Sequence, residues 1–211
     1  MRDNVAAFLR LMLVTDDALL GGRDPLPVVR AAVAGGVTSV QLRLKRAGDR
    51  ELAELARRLV AALPVPVLVN DRPDVAIAAG AAGVHLGPGD VPVDAVRRIA
   101  PTGFVIGASV GGATEAAAAR GADYWGVGPW RVTGTKSDAG AALGIAGFTA
   151  IVQAAQAIPC LAIGGVRPDD VPAVLTAGGV GVAVVSGLLS AADVEVAARD
   201  YARLLDERLS G

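Results

Sequence analysis

Gln41, Arg43 and Lys45 stand at alternate positions in VQLRLKR, residues 40–46. On a strand that spacing puts an amide, a guanidinium and an ammonium on one face, with Val40, Leu42 and Leu44 on the other. A core stripe would carry hydrocarbons there, because cations taken out of water without partners are costly. Either carboxylates lie nearby or an anion binds. Asp71 and Asp90 could supply the first as structural ion-pair partners, but Arg43, Lys45 and Lys136 outnumber them. Two carboxylates around a divalent ion are a usual way to hold Mg²⁺ against substrate phosphates. The set therefore reads as a site for metal-bound pyrophosphate.

A second anion site is suggested by IGGV, residues 163–166, and VVSG, residues 184–187. Gly164, Gly165 and Ser186 are small enough for backbone N–H groups to approach a phosphate. Residues 128–144 form a long stretch without periodicity, and its polar GTKSDAG core reads as a loop closing over an anion, with Lys136 as the cation. His85, the one histidine, reads as a hydrogen-bonded structural group at a strand end, and Cys160, the one cysteine, as a small buried hydrophobe that excludes an internal disulfide.

These residues need a scaffold that brings them together. Strand-like runs fall at 11–15, 39–44, 65–70, 83–86, 104–109, 122–127, 160–163 and 181–185. Helical stretches between them include 50–63, 92–99, 114–121, 149–157, 169–177 and 191–209. AGGVTSVQL recurs as AGAAGVHL, RGADYWGV and AGGVGVAV, each a helix end, a Gly turn and a strand. Strands alternating with crossover helices imply a parallel sheet, and about eight units predict a closed (β/α)8 TIM barrel, with residues 1–211 as a single α/β domain. Chemistry in such a barrel sits at the C-terminal ends of the strands. Gln41, Arg43, Lys45, Asn70, Asp71, His85, Asp90, Ser109, Thr133, Thr135, Lys136, Gly164, Gly165 and Ser186 all fall there or in the following loops.

A net charge of -1 and the lack of a Lys/Arg block give no footprint for nucleic acid. No apolar run approaches the roughly 18 residues needed to span a bilayer. The N-terminal segment runs straight into a strand-like LRLMLVTD without a small-residue cleavage site, so the protein is expected to be cytoplasmic. A homodimer through outer helices suits such a barrel, although no patch in the sequence isolates an interface.

Together the motifs resemble thiamin-phosphate synthase. QLRLK is similar to that family's Gln-x-Arg-x-Lys strand, and VNDRPDVAIAAGAAGVHLGPGD to its Asn-Asp-Arg segment followed by His-x-Gly-x-x-Asp. IGAS, GVGPWRVTGTK, AIGGV and VVSG continue in the same order over nearly the whole chain. The resemblance implies that Gln41, Arg43, Lys45, Asn70, Ser109 and Lys136 bind hydroxymethylpyrimidine pyrophosphate, with Arg43, Lys45, Ser109 and Lys136 as the catalytic donors. It implies Mg²⁺ on Asp71 and Asp90, and the thiazole phosphate on Thr133, Gly134, Thr135, Gly165, Val185 and Ser186. The implied reaction is dissociative: pyrophosphate leaves the pyrimidine methylene, and the thiazole nitrogen captures the carbocation. The chain departs from the family pattern at Pro88-Gly89, at Val110-Gly111-Gly112 where a His is common, and at Arg131 where an aromatic is expected. A related thiazole tautomerase uses a His where this chain has Gly128. A barrel that only binds phosphorylated precursors is the other alternative.

Overall fold

The apolar runs are short because each is one plank of a small barrel. In the computed structural model, which describes residues 5–132 and 141–207, the strands are β1 (Leu11–Val14), β2 (Ser39–Leu42), β3 (Val67–Asn70), β4 (Gly83–Leu86), β5 (Val105–Val110), β6 (Tyr124–Val127), β7 (Cys160–Ile163) and β8 (Gly181–Val184). The helices are α1 (Val5–Phe8), α2 (Asp17–Leu20), α3 (Pro25–Ala34), α4 (Asp49–Ala62), α5 (Pro73–Ala78), α6 (Val93–Ile99), α7 (Ala113–Ala118), α8 (Gly144–Ala155), α9 (Val171–Thr176), α10 (Ser186–Leu189) and α11 (Val194–Glu207). All strands are parallel and pair in chain order. β1 then pairs with β8 through Leu11↔Val182, Met12↔Ala183 and Leu13↔Val184, which closes the sheet into the expected barrel.

Period-two alternation divides the core in two. Leu11, Leu13, Val40, Leu42, Val67, Val69, Val84 and Leu86 pack outward under the helices. Met12, Val14, Leu68, Val105, Tyr124, Leu161 and Ala183 pack together as the barrel filling. The helices supply matching stripes: α4 buries Leu52, Leu55, Ala56 and Leu59, the spacing that lines one face of a 3.6-residue helix. α11 buries Ala198, Tyr201 and Leu205 in the same manner.

Several boundaries differ from expectation, among them the starts of β6 at Tyr124 in place of 122 and of α8 at Gly144 in place of 149, and two have a clear physical reason. The third strand begins at Val67, not at 65, and Pro66 precedes it, lacking the N–H that a ladder needs. β2 ends at Leu42, two residues early, because side chains from the segment after β1, Thr15 and the first residue of α2, take over the backbone groups that follow it. The Thr15 hydroxyl accepts from the Arg43 N–H at 2.8 Å and donates to the Arg43 carbonyl at 3.1 Å, and Asp17 Oδ2 accepts from the Lys45 N–H at 2.6 Å. Arg43 and Lys45 thus project from the loop beyond the strand, not from its face. The short helices α1, α2, α5 and α10 show too little periodicity to be read from sequence. α3 is hidden by prolines at its start, where Pro25 fits the first turn and Asp24 accepts from the Leu26 N–H at 3.1 Å.

Candidate active site

A cavity of about 630 Å³ opens at the C-terminal end of the barrel. It is lined by Gln41, Arg43, Lys45, Asn70, Asp71, Asp90, Ser109, Gly164, Gly165, Val185 and Ser186, every described residue that the sequence placed in the site. Thr133, Gly134, Thr135 and Lys136 lie outside the described residues.

The polar series from β2 descends by depth. Gln41 is 2% exposed, while the side chains of Arg43 and Lys45 are 15% and 54% exposed. The partner of Arg43 is a correction: its Nη1 meets Asp16 Oδ2 at 2.9 Å, not Asp71 or Asp90. Asp16 also caps α2, accepting from the Ala18 and Leu19 N–H groups. Its chance of detection lay in DDALL, an acid pair ahead of a helix start, but that pattern shows a cap and not its second bond.

Lys45 Nζ meets Asp71 Oδ2 at 2.6 Å, and Asp71 shares a hydrogen bond with Asp90. Asp71 has a φ of 64°, in the left-handed region that Asp tolerates better than most residues. Its N–H donates to the His85 carbonyl at 2.8 Å, which helps hold the turn. Asp90 Oδ2 accepts from the Gly87 N–H at 2.6 Å, so Pro88-Gly89 leaves this acid on the cavity wall. Partial burial raises the Asp71 carboxyl, but its bond with Asp90 and the Lys45 ammonium outweigh that and hold it below its ordinary value. Partial burial and the neighbouring Asp71 push Asp90 the other way, to about 6. Two hard oxygen donors drawn together in this way fit Mg²⁺, which takes few protein ligands and keeps the remainder for water and phosphate oxygens.

Beneath these charges lies a polar floor that the sequence reading missed in part. His85, 5% exposed, has Nε2 at 3.0 Å from Ser109 Oγ and Nδ1 at 2.9 Å from the Tyr124 hydroxyl. Gln41 lies on the same floor, its amide nitrogen 3.7 Å from Met12 Sδ. His85 is hydrogen-bonded at the strand end, and its partner Tyr124 stood in YWGV with no signal to separate it from ordinary core.

In the strand order, β7 and β8 lie four places from β3 and β4, across the barrel from the acid pair. Gly164 and Gly165 have φ values of 90° and 71°, which a side chain would strain, so the chain can turn here with its backbone bare. The start of the long loop is tied to this wall: Trp130 N–H donates to the Ile163 carbonyl at 2.8 Å and Arg131 N–H to the Gly164 carbonyl at 2.9 Å. The Arg131 guanidinium is ion-paired with the buried Asp170. At Gly128 an added Cβ would lie 2.2 Å from the Ile163 carbonyl oxygen, so no histidine fits there without movement of the backbone. Among the described residues no helix is long and apolar enough to cross a membrane.

The fold and cavity define a (β/α)8-barrel enzyme with cationic and acidic groups on one side of its mouth and bare backbone on the other. Comparison with known proteins narrows the class. The sequence model of the thiamine monophosphate synthase family matches residues 11–188, and the chain belongs to that family. It is 47% identical to the thiamine-phosphate synthase of Azorhizobium caulinodans over 94% of this chain and 95% of that one. It is 50% identical to the thiamine-phosphate synthase of Xanthobacter autotrophicus over 90% and 92%. The solved thiamine phosphate pyrophosphorylase of Pyrococcus furiosus superposes with a TM-score of 0.86 at 37% identity, covering 98% of this chain and 100% of that one.

Proposed function

We propose that the protein condenses 4-amino-2-methyl-5-hydroxymethylpyrimidine diphosphate with 4-methyl-5-(2-hydroxyethyl)thiazole phosphate to give thiamin phosphate and pyrophosphate, or with its carboxylated form, which releases carbon dioxide as well. The observation that carries this reading is the cavity itself, in which Arg43, Lys45, Asp71 and Asp90 share one mouth with the Gly164-Gly165 and Val185-Ser186 wall. The methylene C–O bond breaks with its electron pair leaving on pyrophosphate, and the thiazole nitrogen lone pair then forms the new C–N bond. No nucleophilic side chain is required.

Gln41, buried at the floor, binds the pyrimidine edge, with Asn70 beside it on the cavity wall. Arg43, Lys45 and Ser109 donate to the diphosphate, where negative charge grows as the bond breaks. Asp16 keeps Arg43 aimed across the mouth while leaving other guanidinium hydrogens for the anion. Gly165, Val185 and Ser186 receive the thiazole phosphate. Asp71 and Asp90 would hold Mg²⁺, which when bound supplies charge neutralisation for the leaving group. Lys136, with Thr133, Gly134 and Thr135, is assigned to the same anions from sequence alone. A cytoplasmic homodimer accords with this biosynthetic role.

The test is to incubate the protein with both phosphorylated halves and Mg²⁺ and follow thiamin phosphate and pyrophosphate by chromatography. Equal amounts of the two products are expected. Isomerisation of a thiazole phosphate tautomer without coupling would replace this reading by a tautomerase, and binding without turnover by a passive carrier.

A further inference from the structure

Beside the main cavity lies a second, of about 760 Å³, which shares Arg43, Lys45, Gly165 and Ser186 with it. Arg46, Arg131 and Arg167 line the second space and not the first, and Asp16 and Asp17 are the acids that line it. Positive charge stays in excess there even when Asp71 and Asp170, the outlying partners of Lys45 and Arg131, are counted. Arg131 stands on the bare-backbone wall itself. A Cβ added to Gly165 would lie 3.1 Å from Arg131 Cβ, and the Arg131 N–H donates to the Gly164 carbonyl at 2.9 Å, so the backbone plants this residue there whatever its side chain. Its guanidinium is anchored but not used up. Nη2 is ion-paired with Asp170, a buried carboxylate that also accepts from the Arg167 N–H at 2.8 Å. Nε is buried and has no hydrogen-bond partner among the described residues, a state that few native donors keep. The side chain as a whole is 43% exposed, so a ligand in the second cavity can reach it. A planar fork fixed through one nitrogen, with other hydrogens unspent, is pre-organised for a phosphate.

We propose that Arg131 binds the phosphate of the thiazole substrate from the second cavity, adding a charged, forked donor to the Gly165 and Ser186 wall while Asp170 holds the fork in place. The identity of that phosphate ester rests on the synthase reading, but the anion site does not. Arg131→Met keeps the stem and removes the fork. Arg131→Lys keeps a cation for Asp170, should loss of the pair unfold the barrel, but its single ammonium cannot serve the carboxylate and the phosphate as a fork does. Arg131→Met is expected to raise KM for the thiazole phosphate by about tenfold, the low end for a hydrogen bond to a charged group, and Arg131→Lys to raise it by less, with KM for the pyrimidine diphosphate unchanged in both. A purely structural pair would spread its effect over both substrates. Calorimetry isolates the phosphate: thiamin phosphate should bind Arg131→Met about tenfold more weakly than wild type, and thiamin equally well. An unchanged KM for the thiazole phosphate in either folded variant, or equal weakening of thiamin phosphate and thiamin, would overturn the proposal. A folded wild-type protein that makes no thiamin phosphate would instead defeat the synthase reading. Titration with inorganic phosphate would still decide the site: weaker binding to Arg131→Met than to wild type upholds it, and equal binding removes it.

Discussion

At the level of single residues, the mouth of the barrel joins charges that answer one another incompletely. Arg43 and Lys45 are each paired, with Asp16 and Asp71, yet Asp71 must also share with Asp90. On the metal assignment, Asp71→Ala is expected to raise the Mg²⁺ needed for half-maximal turnover by at least the roughly tenfold that losing even an outer-shell partner of a metal ligand costs, without unfolding the barrel. Unchanged turnover at limiting Mg²⁺ would remove Asp71 from the metal site. Asp90 has a stability consequence too. Its carboxyl, raised to about 6 in the folded chain from an ordinary 3.8, binds its proton more tightly folded than unfolded, so it favours folding at low pH and opposes it as pH rises through 6. Asp90→Asn can keep the Gly87 bond through its carbonyl and donate to Asp71. In chelator it should therefore raise the thermal midpoint at pH 8 relative to wild type, with a smaller difference at pH 5. Part of this was legible: the polar series in VQLRLKR pointed to Gln41, Arg43 and Lys45 as one set, and all three line the cavity. The Arg43–Asp16 pair was not, because it depends on how a helix cap from one loop lies beside the next.

Elements decide where those residues point. Repeated Gly turns announced the strands, and the strand centres were readable because outward apolar positions alternate with inward ones. The end of β2 was hidden because a side chain from another loop sets it. Thr15 is fully buried and holds both the N–H and the carbonyl of Arg43. Thr15→Val keeps its shape but leaves those two groups without their partner. Denaturant unfolding should show a loss of about 1–3 kcal/mol, the cost of buried polar groups left unsatisfied, together with weaker use of the pyrimidine diphosphate as Arg43 loses its footing. A stability equal to wild type would show that water or a shifted loop replaces the hydroxyl. The same logic explains why Arg72, although it stands within VNDR, is no part of the cavity: it pairs with Asp74 at 2.7 Å and also with Asp49.

The whole molecule is held by closure. Pairing of β1 with β8 leaves no sheet edge, so strands in the wall should open only when the barrel does. Cys160 reports on this: it begins β7, is 1% exposed, and burial pushes its thiol up to about 12. Thiol labelling at pH 8 is expected to follow the same denaturant midpoint as circular dichroism, and labelling well before that midpoint would reveal a barrel that opens locally. At this scale the sequence was most informative, since strand count, parallel order and the rim carrying the polar residues all follow from the repeated unit. The most direct test of the central claim is anomalous diffraction from crystals grown with Mn²⁺, pyrophosphate and thiamin phosphate. The account predicts the metal between the Asp71 and Asp90 carboxylates, pyrophosphate against Arg43, Lys45 and Ser109, and the phosphate ester at Gly165 and Ser186. Metal bound elsewhere, or the two anions in exchanged positions, would contradict it.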